Sequence, residues 1–359
     1  MRSIPLQSFY IQWVNAVNLG RGEAGCIPYR FPLHILNAMG DMAPIARMTT
    51  SIEIQLQGHI TDLEFALRVL DSDGYGIQAE LFRGPHKLLP TWTLSPTTPS
   101  IQHAKFSIEQ SHHLCAEYPL RLLLPTHCTL EIIDITVDDK AVLTDDFQPY
   151  DNRMLPDATP FTWLVYGDSL VQGANVSTPS CTWPHLLAIW LKLKSINLGI
   201  GGHGCVGAFM ADYLASRQDY DLVSVHSGVN ALWNMGPAHF CDQLGQFIQR
   251  IRESHRTTPI LVASPAYCHL DATHDSAIRE MRTGMALLCQ HQQDTGDTAL
   301  YYIDGLQLLD APEYLRADML HFSDAGAIHY ARSLEPHMRR ILKRHVDRQT
   351  PQLQLLSSQ

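Results

Sequence analysis

The chain has 359 residues, of which 45% are hydrophobic, enough to bury large cores in two domains. No stretch reaches the roughly 18 consecutive apolar residues of a membrane span, and Met1 to Leu19 lacks the apolar segment of a signal peptide. We therefore expect a soluble cytoplasmic protein that does not bind membranes. The formal net charge of −10, without a long run of Lys or Arg, argues against nucleic-acid binding.

The 8 cysteines and 19 histidines do not form the patterns of metal or redox sites. The sequence contains neither a CxxC pair nor an HExxH motif. We predict that the protein binds no metal and no cofactor. We also predict that its thiols are free, as is usual in a reducing compartment.

The first half of the chain alternates apolar and polar residues with a period of two, which is typical of β-strands. Strands are predicted at 52–56, 63–69, 76–82, 105–108, 120–124 and 129–137. In the last of them the alternation changes face between Ile132 and Ile133, which predicts a β-bulge. About seven short strands without an amphipathic helix indicate an antiparallel, jelly-roll-like β-sandwich.

A polar segment with two prolines, residues 144–159, marks the predicted domain boundary. We expect a β-sandwich accessory domain at 1–155, a second domain at 156–347 and a polar tail at 348–359.

Beyond this boundary, short apolar runs alternate five times with helical segments. Strands are predicted at 162–166, 195–198, 222–226, 259–263 and 300–303, and helices at 184–193, 208–216, 238–255, 276–290 and 325–343. This order predicts an α/β fold, a flavodoxin-like three-layer α/β/α domain whose parallel sheet has helices on both faces. Reactive groups in such folds lie on loops at the carboxyl ends of the strands.

The first of these loops contains Gly167-Asp168-Ser169-Leu170. The turn from strand into helix raises Ser169 above the edge of the sheet. A serine hydroxyl is a weak nucleophile by itself, so a catalytic role requires a nearby base and a group that orients this base. The alternative is that Ser169 only caps the helix.

The second loop is rich in glycine and matches the GxGxxG pattern of dinucleotide-binding proteins at 199–204. That pattern also requires an acidic residue at the far end of the next strand, whereas Asp219 and Asp221 precede that strand. We therefore favour another role, in which Gly202 exposes its backbone N–H to a developing oxyanion.

The third loop contains Ser227 and Asn230. The Asn230 amide can donate hydrogen bonds to the same oxyanion, although a structural cap of the following turn remains an alternative. Ser227 is a rival nucleophile, but it lacks the GxSxG pattern of a nucleophile elbow.

The last loop, after the fifth strand, contains Asp318 and His321. At this spacing a carboxylate can accept the Nδ1 proton of the imidazole and leave Nε2 free to act as a base. Asp271 and His274 repeat the spacing, but they open a middle helix. We favour Asp318 and His321 because they follow the last strand.

Ser169 in GDSL, Gly202 in NLGIGG, Asn230 in GVN and Asp318 with His321 in DMLH occur in the order of the blocks of a known family. The stretch from about 160 to 345 resembles the SGNH/GDSL hydrolases. This resemblance implies that Ser169 is the nucleophile, His321 its general base and Asp318 the orienting residue. It also implies an oxyanion hole formed by Ser169 and Gly202 N–H groups and by the Asn230 side chain. Many members have Asp after this Asn, where this chain has Ala231.

The complete layout resembles the branch that contains carbohydrate acetyl esterases and a salicylyl-ester hydrolase. We predict a serine esterase that hydrolyses short-acyl esters of a carbohydrate or small hydroxylated metabolite. Two alternatives are an acyltransferase that uses the same residues and a non-catalytic carbohydrate-binding protein with a degenerate hydrolase domain. The sequence leaves open the acyl and alcohol specificity, the role of the first domain and whether the protein forms a homo-oligomer.

Overall fold

A computed structural model describes residues 1–74, 77–96, 100–108, 117–145, 147–158, 160–204 and 206–356, with the side chains at 89–90 and 349–356 excepted. The chain divides into two compact units. Residues Met1–Pro156 and Gln172–His185 form the first unit, and Asp157–Val171 and Leu186–Gln359 form the second.

The first unit is a sandwich of two antiparallel sheets, and its backbone bounds are as follows. The strands are β1 (Arg2–Ser3), β2 (Gln12–Val14), β3 (Asn18–Arg21), β4 (Cys26–Tyr29), β5 (Glu53–His59), β6 (Asp62–Ser72), β7 (Gln78–Arg83), β8 (His86–Thr93), β9 (Gln102–Ser107), β10 (Leu120–Leu123), β11 (Cys128–Val137) and β12 (Val142–Thr144), and the helices are α1 (Leu33–Ala38) and α2 (Ala43–Ala46). One sheet has the order β3-β4-β11-β6-β9 with β1 beside β11, and the other has β12-β5-β10-β7-β8 with β2 beside β5.

Alternating residues of both sheets share one hydrophobic core, in which Leu56, Phe65 and Leu122 are almost completely buried. The predicted sandwich is therefore confirmed. The predicted bulge is confirmed too, because the pairing of β11 with β6 shifts register between Ile132 and Asp134.

The sequence predicted fewer strands than this unit contains and no helix in it. Strand β8 was missed because Pro90 interrupts the pattern, and a proline is unfavourable inside most strands. The short strands β1 to β4 contain too few residues for an alternation to be recognised. The predicted strand at 76–82 begins at a residue outside the described ones, and β7 begins at Gln78.

A polar segment of the chain, Gln172–His185, also belongs to the first unit. Its Ser180 backbone N–H donates to the buried Glu80 carboxylate over 2.8 Å. Gln172 donates to the Thr126 carbonyl at 3.3 Å. Burial lowers the pKa of His185 to about 4, against the opposing charge of Glu53. The segment therefore contributes polar partners to groups that the strands leave buried.

The second unit contains one parallel sheet. The backbone bounds of the strands and helices from residue 157 onward are as follows, with Gln172 of α3 and Trp183–His185 of α4 assigned to the first unit. The strands are β13 (Thr162–Gly167), β14 (Lys194–Gly199), β15 (Leu222–His226), β16 (Ile260–Ala263) and β17 (Leu300–Ile303), and the helices are α3 (Ser169–Gln172), α4 (Trp183–Leu191), α5 (Ala208–Ser216), α6 (Ala231–Asn234), α7 (Gly236–Ser254), α8 (His269–Ala272), α9 (Ser276–Asp294) and α10 (Asp324–Leu356). The sheet order is β14-β13-β15-β16-β17, that is 2-1-3-4-5 within the unit, the flavodoxin-like order.

Every residue of β13, β15 and β16 is buried, as expected for strands covered by helices on both faces. The predicted α/β fold class is thus confirmed. Helix α10 continues to Leu356, so most of the stretch 348–359 is helical. Within the described part of the chain, no helix combines the length and the apolarity that a membrane crossing requires. Cytoplasmic location stays a prediction.

Candidate active site

The loop after β13 makes a tight strand-to-helix turn that begins at Gly167 and leads into α3 at Ser169. A Cβ atom on Gly167 would lie 2.1 Å from the His226 carbonyl oxygen of the neighbouring strand. Glycine is therefore required for the two strands to approach at this point. The close approach places the Ser169 side chain at the carboxyl edge of the sheet.

Three of the residues singled out in the sequence meet there through side-chain hydrogen bonds. His321 Nε2 lies 2.9 Å from Ser169 Oγ, and His321 Nδ1 lies 2.8 Å from Asp318 Oδ2. A carboxylate only accepts, so Nδ1 carries the proton and Nε2 accepts from the serine hydroxyl. The imidazole thus connects the Asp318 carboxylate to a serine hydroxyl that lies 152 residues before His321 in the sequence.

The Asp318 carboxylate is held by its own loop. Its Oδ1 accepts the backbone N–H groups of Leu320 and His321, each at 3.0 Å. Partial burial would raise the pKa of Asp318, but the hydrogen bonds from His321 and Leu320 outweigh it and lower that pKa. Asp318 therefore stays ionised as the partner of the imidazole.

A second carboxyl group, that of Asp168, belongs to the residue before the serine. Its pKa is shifted in the direction opposite to that of Asp318. Asp168 is only 3% exposed, and Oδ1 accepts the Leu170 N–H at 3.0 Å. Burial raises the pKa of Asp168 to about 6, although the Leu170 N–H and the His321 charge oppose the rise. The sequence analysis quoted Asp168 as part of the motif without giving it a role, because burial cannot be read from a tetrapeptide.

The glycine-rich loop after β14 contributes an open backbone surface. Gly202 has φ of +73°, and among the described residues no atom lies within 4 Å of the position that a Cβ would take. Gly204, two residues on, lies so close to Asp168 that a Cβ would be 2.8 Å from the Asp168 backbone nitrogen. The loop is thus pressed against the serine turn at Gly204 and leaves space in front of Gly202.

Asn230 follows β15 and begins α6 without making a side-chain cap. The residue is 8% exposed, and its Nδ2 is buried without a hydrogen-bond partner among the described residues. An unpaired buried amide costs about 1–3 kcal/mol, and this Nδ2 is free to donate to an acceptor such as a ligand or a water molecule. The capping alternative has no support in this geometry.

The rival residues have other partners. The Ser227 hydroxyl donates to the Gly204 carbonyl. Asp271 makes an ion pair with Arg282, with distances of 2.6 and 2.8 Å from its two oxygens, and also accepts the Cys268 N–H. His274 is exposed, and both carboxylate oxygens of Asp271 accept from Arg282 instead.

Below the serine turn lies a buried polar chain that the sequence did not predict. His226 Nδ1 lies 2.9 Å from the Tyr330 hydroxyl, and its Nε2 lies 3.0 Å from Ser224 Oγ. Trp163 Nε1 donates to the Ser224 hydroxyl at 2.9 Å. Burial lowers the pKa of His226 to about 3, so its ring stays neutral. Among the described residues, no group of three or more His, Cys, Asp or Glu could hold a metal ion.

The sequence pattern of the GDSL-like Lipase/Acylhydrolase family matches residues 162–339, which include all of these loops. No curated protein matches the chain. Solved structures with this architecture include a salicylyl-acyltransferase, SsfX3, from a tetracycline biosynthetic pathway. It is 19% identical, with a TM-score of 0.77 over 95% of this chain and 97% of that chain.

Two carbohydrate esterases are also similar. A family two carbohydrate esterase from Cellvibrio japonicus has 13% identity and a TM-score of 0.62 over 95% of this chain and 98% of its own. The acetyl xylan esterase Est2A from the rumen bacterium Butyrivibrio proteoclasticus has 12% identity and a TM-score of 0.58 over 96% and 100% of the two chains. At these identities the likeness concerns the fold.

Proposed function

Because residues 162–339 belong to the GDSL-like lipase/acylhydrolase family, we propose that this protein is a serine esterase that removes short acyl groups, such as acetyl, from a carbohydrate or a small hydroxylated metabolite. Membership makes the chain a carboxylic ester hydrolase of the SGNH type, whose chemistry is ester hydrolysis or acyl transfer. The hydrogen-bonded series Ser169, His321, Asp318 is the observation on which the proposed mechanism depends.

In the proposed first half-reaction, Ser169 Oγ attacks the carbonyl carbon of the ester while His321 Nε2 takes the hydroxyl proton. Asp318 accepts the Nδ1 proton and stabilises the imidazolium that forms. When the tetrahedral intermediate collapses, the ester bond breaks and Nε2 gives its proton to the departing alcohol oxygen. The product of this step is an acyl-Ser169 enzyme.

Water completes the second half-reaction. His321 takes a proton from the water molecule, the oxygen attacks the acyl carbon, and the serine oxygen recovers the proton as the acid leaves. The negative oxygen of each intermediate would be stabilised by the backbone N–H groups of Ser169 and Gly202 and by Asn230 Nδ2. The unpaired Asn230 amide and the open space at Gly202 support this role. One such donor contributes about 2.7–4 kcal/mol to catalysis.

Acyl transfer to another alcohol is the second candidate, favoured by the similarity to a salicylyl-acyltransferase with a TM-score of 0.77. The two reactions share the acyl-enzyme and differ only in the acceptor that attacks it. Product analysis with an added alcohol separates them, since transfer produces a new ester and hydrolysis releases the free acid.

The main test replaces Ser169 by Ala and measures acetate release from 4-nitrophenyl acetate. Turnover should fall by several orders of magnitude, because both half-reactions lose their nucleophile. A fluorophosphonate should label the wild type at Ser169 and leave Ser169→Ala unlabelled. Ser227→Ala is the matched control and should keep its labelling. Wild-type turnover in Ser169→Ala would refute the proposed mechanism.

A further inference from the structure

A large aromatic side chain lies exposed on the helix that Asn230 begins. Trp233, on α6, is 56% exposed, although a tryptophan is normally mostly buried. Its indole stacks on the His269 imidazole, with ring centroids 6.2 Å apart and an angle of 11° between the planes. The imidazole lies beside the indole in a parallel, offset arrangement, and more than half of the Trp233 side chain stays available to a ligand.

The apolar residues around this pair join three loops of the second unit. Val229, Cys268 and Ile278 form a small buried cluster. Leu232, Leu270 and Leu320 pack against this cluster from the three loops. The backbone N–H of His269 also donates to the Met319 backbone carbonyl over 2.7 Å. Trp233 and His269 are thereby tied to the loop of Asp318 and His321.

The loop beneath the indole is rigidly held. The Arg282 guanidinium donates to both oxygens of Asp271, and also to the carbonyls of Pro265 and Ala266 at 2.8 Å each. Asp271 in turn accepts the Cys268 N–H at 3.0 Å. A rigid aromatic face loses little conformational entropy when a ligand stacks on it, which favours binding.

We propose that Trp233, supported by His269, is a binding platform for the alcohol part of the ester and that this part carries a flat ring such as a pyranose. The inference rests on the proposed function and deepens it. A pyranose presents a face of C–H groups that packs on an indole, while the hydroxyl groups at its rim stay in water.

The position of His321 determines which part of the substrate lies on the Trp233 platform. Its Nε2 must give a proton to the departing oxygen, so the alcohol has to lie beside this imidazole. His269, under the indole, is bonded to Met319, two residues before His321. In this proposal the ring that carries the departing oxygen packs on the platform beside His321, and the carbonyl oxygen of the ester faces Gly202 and Asn230.

The first experiment measures binding without turnover. Calorimetry compares methyl 2,3,4-tri-O-acetyl-β-D-xylopyranoside binding to Ser169→Ala with binding to the double variant Ser169→Ala/Trp233→Ala. We expect about tenfold weaker binding after the loss of the indole. Trp233→Phe in the same background should recover part of the affinity, because the flat ring is retained. Leu287→Ala is the matched control, since Leu287 is 66% exposed on α9. Equal affinities, or no binding to either protein, would overturn the platform.

The second experiment measures kcat/KM for this pyranoside and for glyceryl triacetate, which has no ring. In Trp233→Ala the ratio of the two values should fall about tenfold, mainly through KM of the pyranoside. An unchanged ratio would overturn the platform. Absence of any turnover in the wild type, together with indole-dependent binding in the first experiment, would refute the esterase proposal and leave the platform standing.

Discussion

The chain contains the same spacing of Asp and His twice, and the two copies have different surroundings. In the copy at 318–321, the carboxylate meets the imidazole at 2.8 Å, and the imidazole meets Ser169. In the copy at 271–274, the carboxylate pairs with Arg282, and His274 is exposed.

The difference lies in what the rest of the fold brings to each copy. The loop after β17 places His321 opposite Ser169, which follows β13. The loop after β16 faces helix α9, whose Arg282 takes both oxygens of Asp271. A short motif therefore gives a carboxylate and an imidazole, and only the third residue, distant in sequence, decides whether they can activate a nucleophile.

The strongest test of this contrast exchanges the two histidines for alanine one at a time. His321→Ala removes the proposed base and should lower kcat by about 10⁴- to 10⁶-fold in a 4-nitrophenyl acetate assay. His274→Ala, in the matching position of the other copy, should retain the parent's kcat. Comparable losses in both variants would contradict the distinction between the copies, as would full activity of His321→Ala.

A second test addresses the structural copy. Arg282→Met leaves the Asp271 carboxylate, which is 13% exposed, without its cation, and the loss should approach the lower end of the roughly 3–5 kcal/mol that breaking a buried pair costs. We expect the free energy of unfolding in urea to fall by this amount. Arg279→Ala, an exposed arginine on the same helix, is the control and should change it little. A fall of similar size in the control would show that the ion pair is not the cause.

A third test compares two asparagine side chains of the same short helix, Asn230 and Asn234. Because Nδ2 has no partner among the described residues, Asn230→Ala removes no hydrogen bond of this amide nitrogen to that part of the chain and should leave the unfolding free energy nearly unchanged. If the amide stabilises the oxyanion, kcat should fall about 10²- to 10³-fold. Asn234→Ala, at the exposed end of the same helix, provides the control. A large loss of stability with unchanged kcat would assign Asn230 a structural role.

Much of the second unit could be predicted because its strands are continuous apolar runs. The predicted strands 222–226 and 300–303 coincide with β15 and β17, which are followed directly by the polar residues Ser227 and Asp304. The meeting of Ser169 with His321 followed from the rule that parallel strands present their carboxyl-end loops at one edge.

Other features depend on contacts that no local pattern records. Arg282 reaches Asp271 from α9, and Trp233 stacks on a histidine 36 positions later. Pro90 interrupts the strand pattern of β8, so that strand was not predicted. The burial of Asp168 depends on the approach of Gly204 from another loop. Except for the proline in β8, each of these features is a contact between segments that are distant in sequence.

The smallest predicted effect is a difference in pH dependence. The two carboxyl groups beside His321, those of Asp168 and Asp318, should change the unfolding free energy with pH in opposite directions. The pKa of Asp168 is about 6 in the folded protein against an ordinary value of 3.8, so its stabilising contribution is complete below pH 3.8 and is lost as pH rises through 6. At 1.36 kcal/mol per unit the loss is about 3 kcal/mol. Asp168→Asn should therefore gain unfolding free energy relative to the wild type between pH 4 and pH 7.5 in urea titrations.

Asp318 provides the control of opposite sign. Its lowered pKa means that the ionised carboxylate stabilises the fold above its ordinary pKa, and this contribution is lost only as pH falls through the lower folded value. Asp318→Asn should thus lose stability relative to the wild type as pH rises above the ordinary pKa of a carboxyl group. The same pH trend in both variants would mean that burial of Asp168 does not dominate its titration. Opposite trends would show that one active-site edge keeps two carboxyl groups in different protonation equilibria through burial and hydrogen bonding alone.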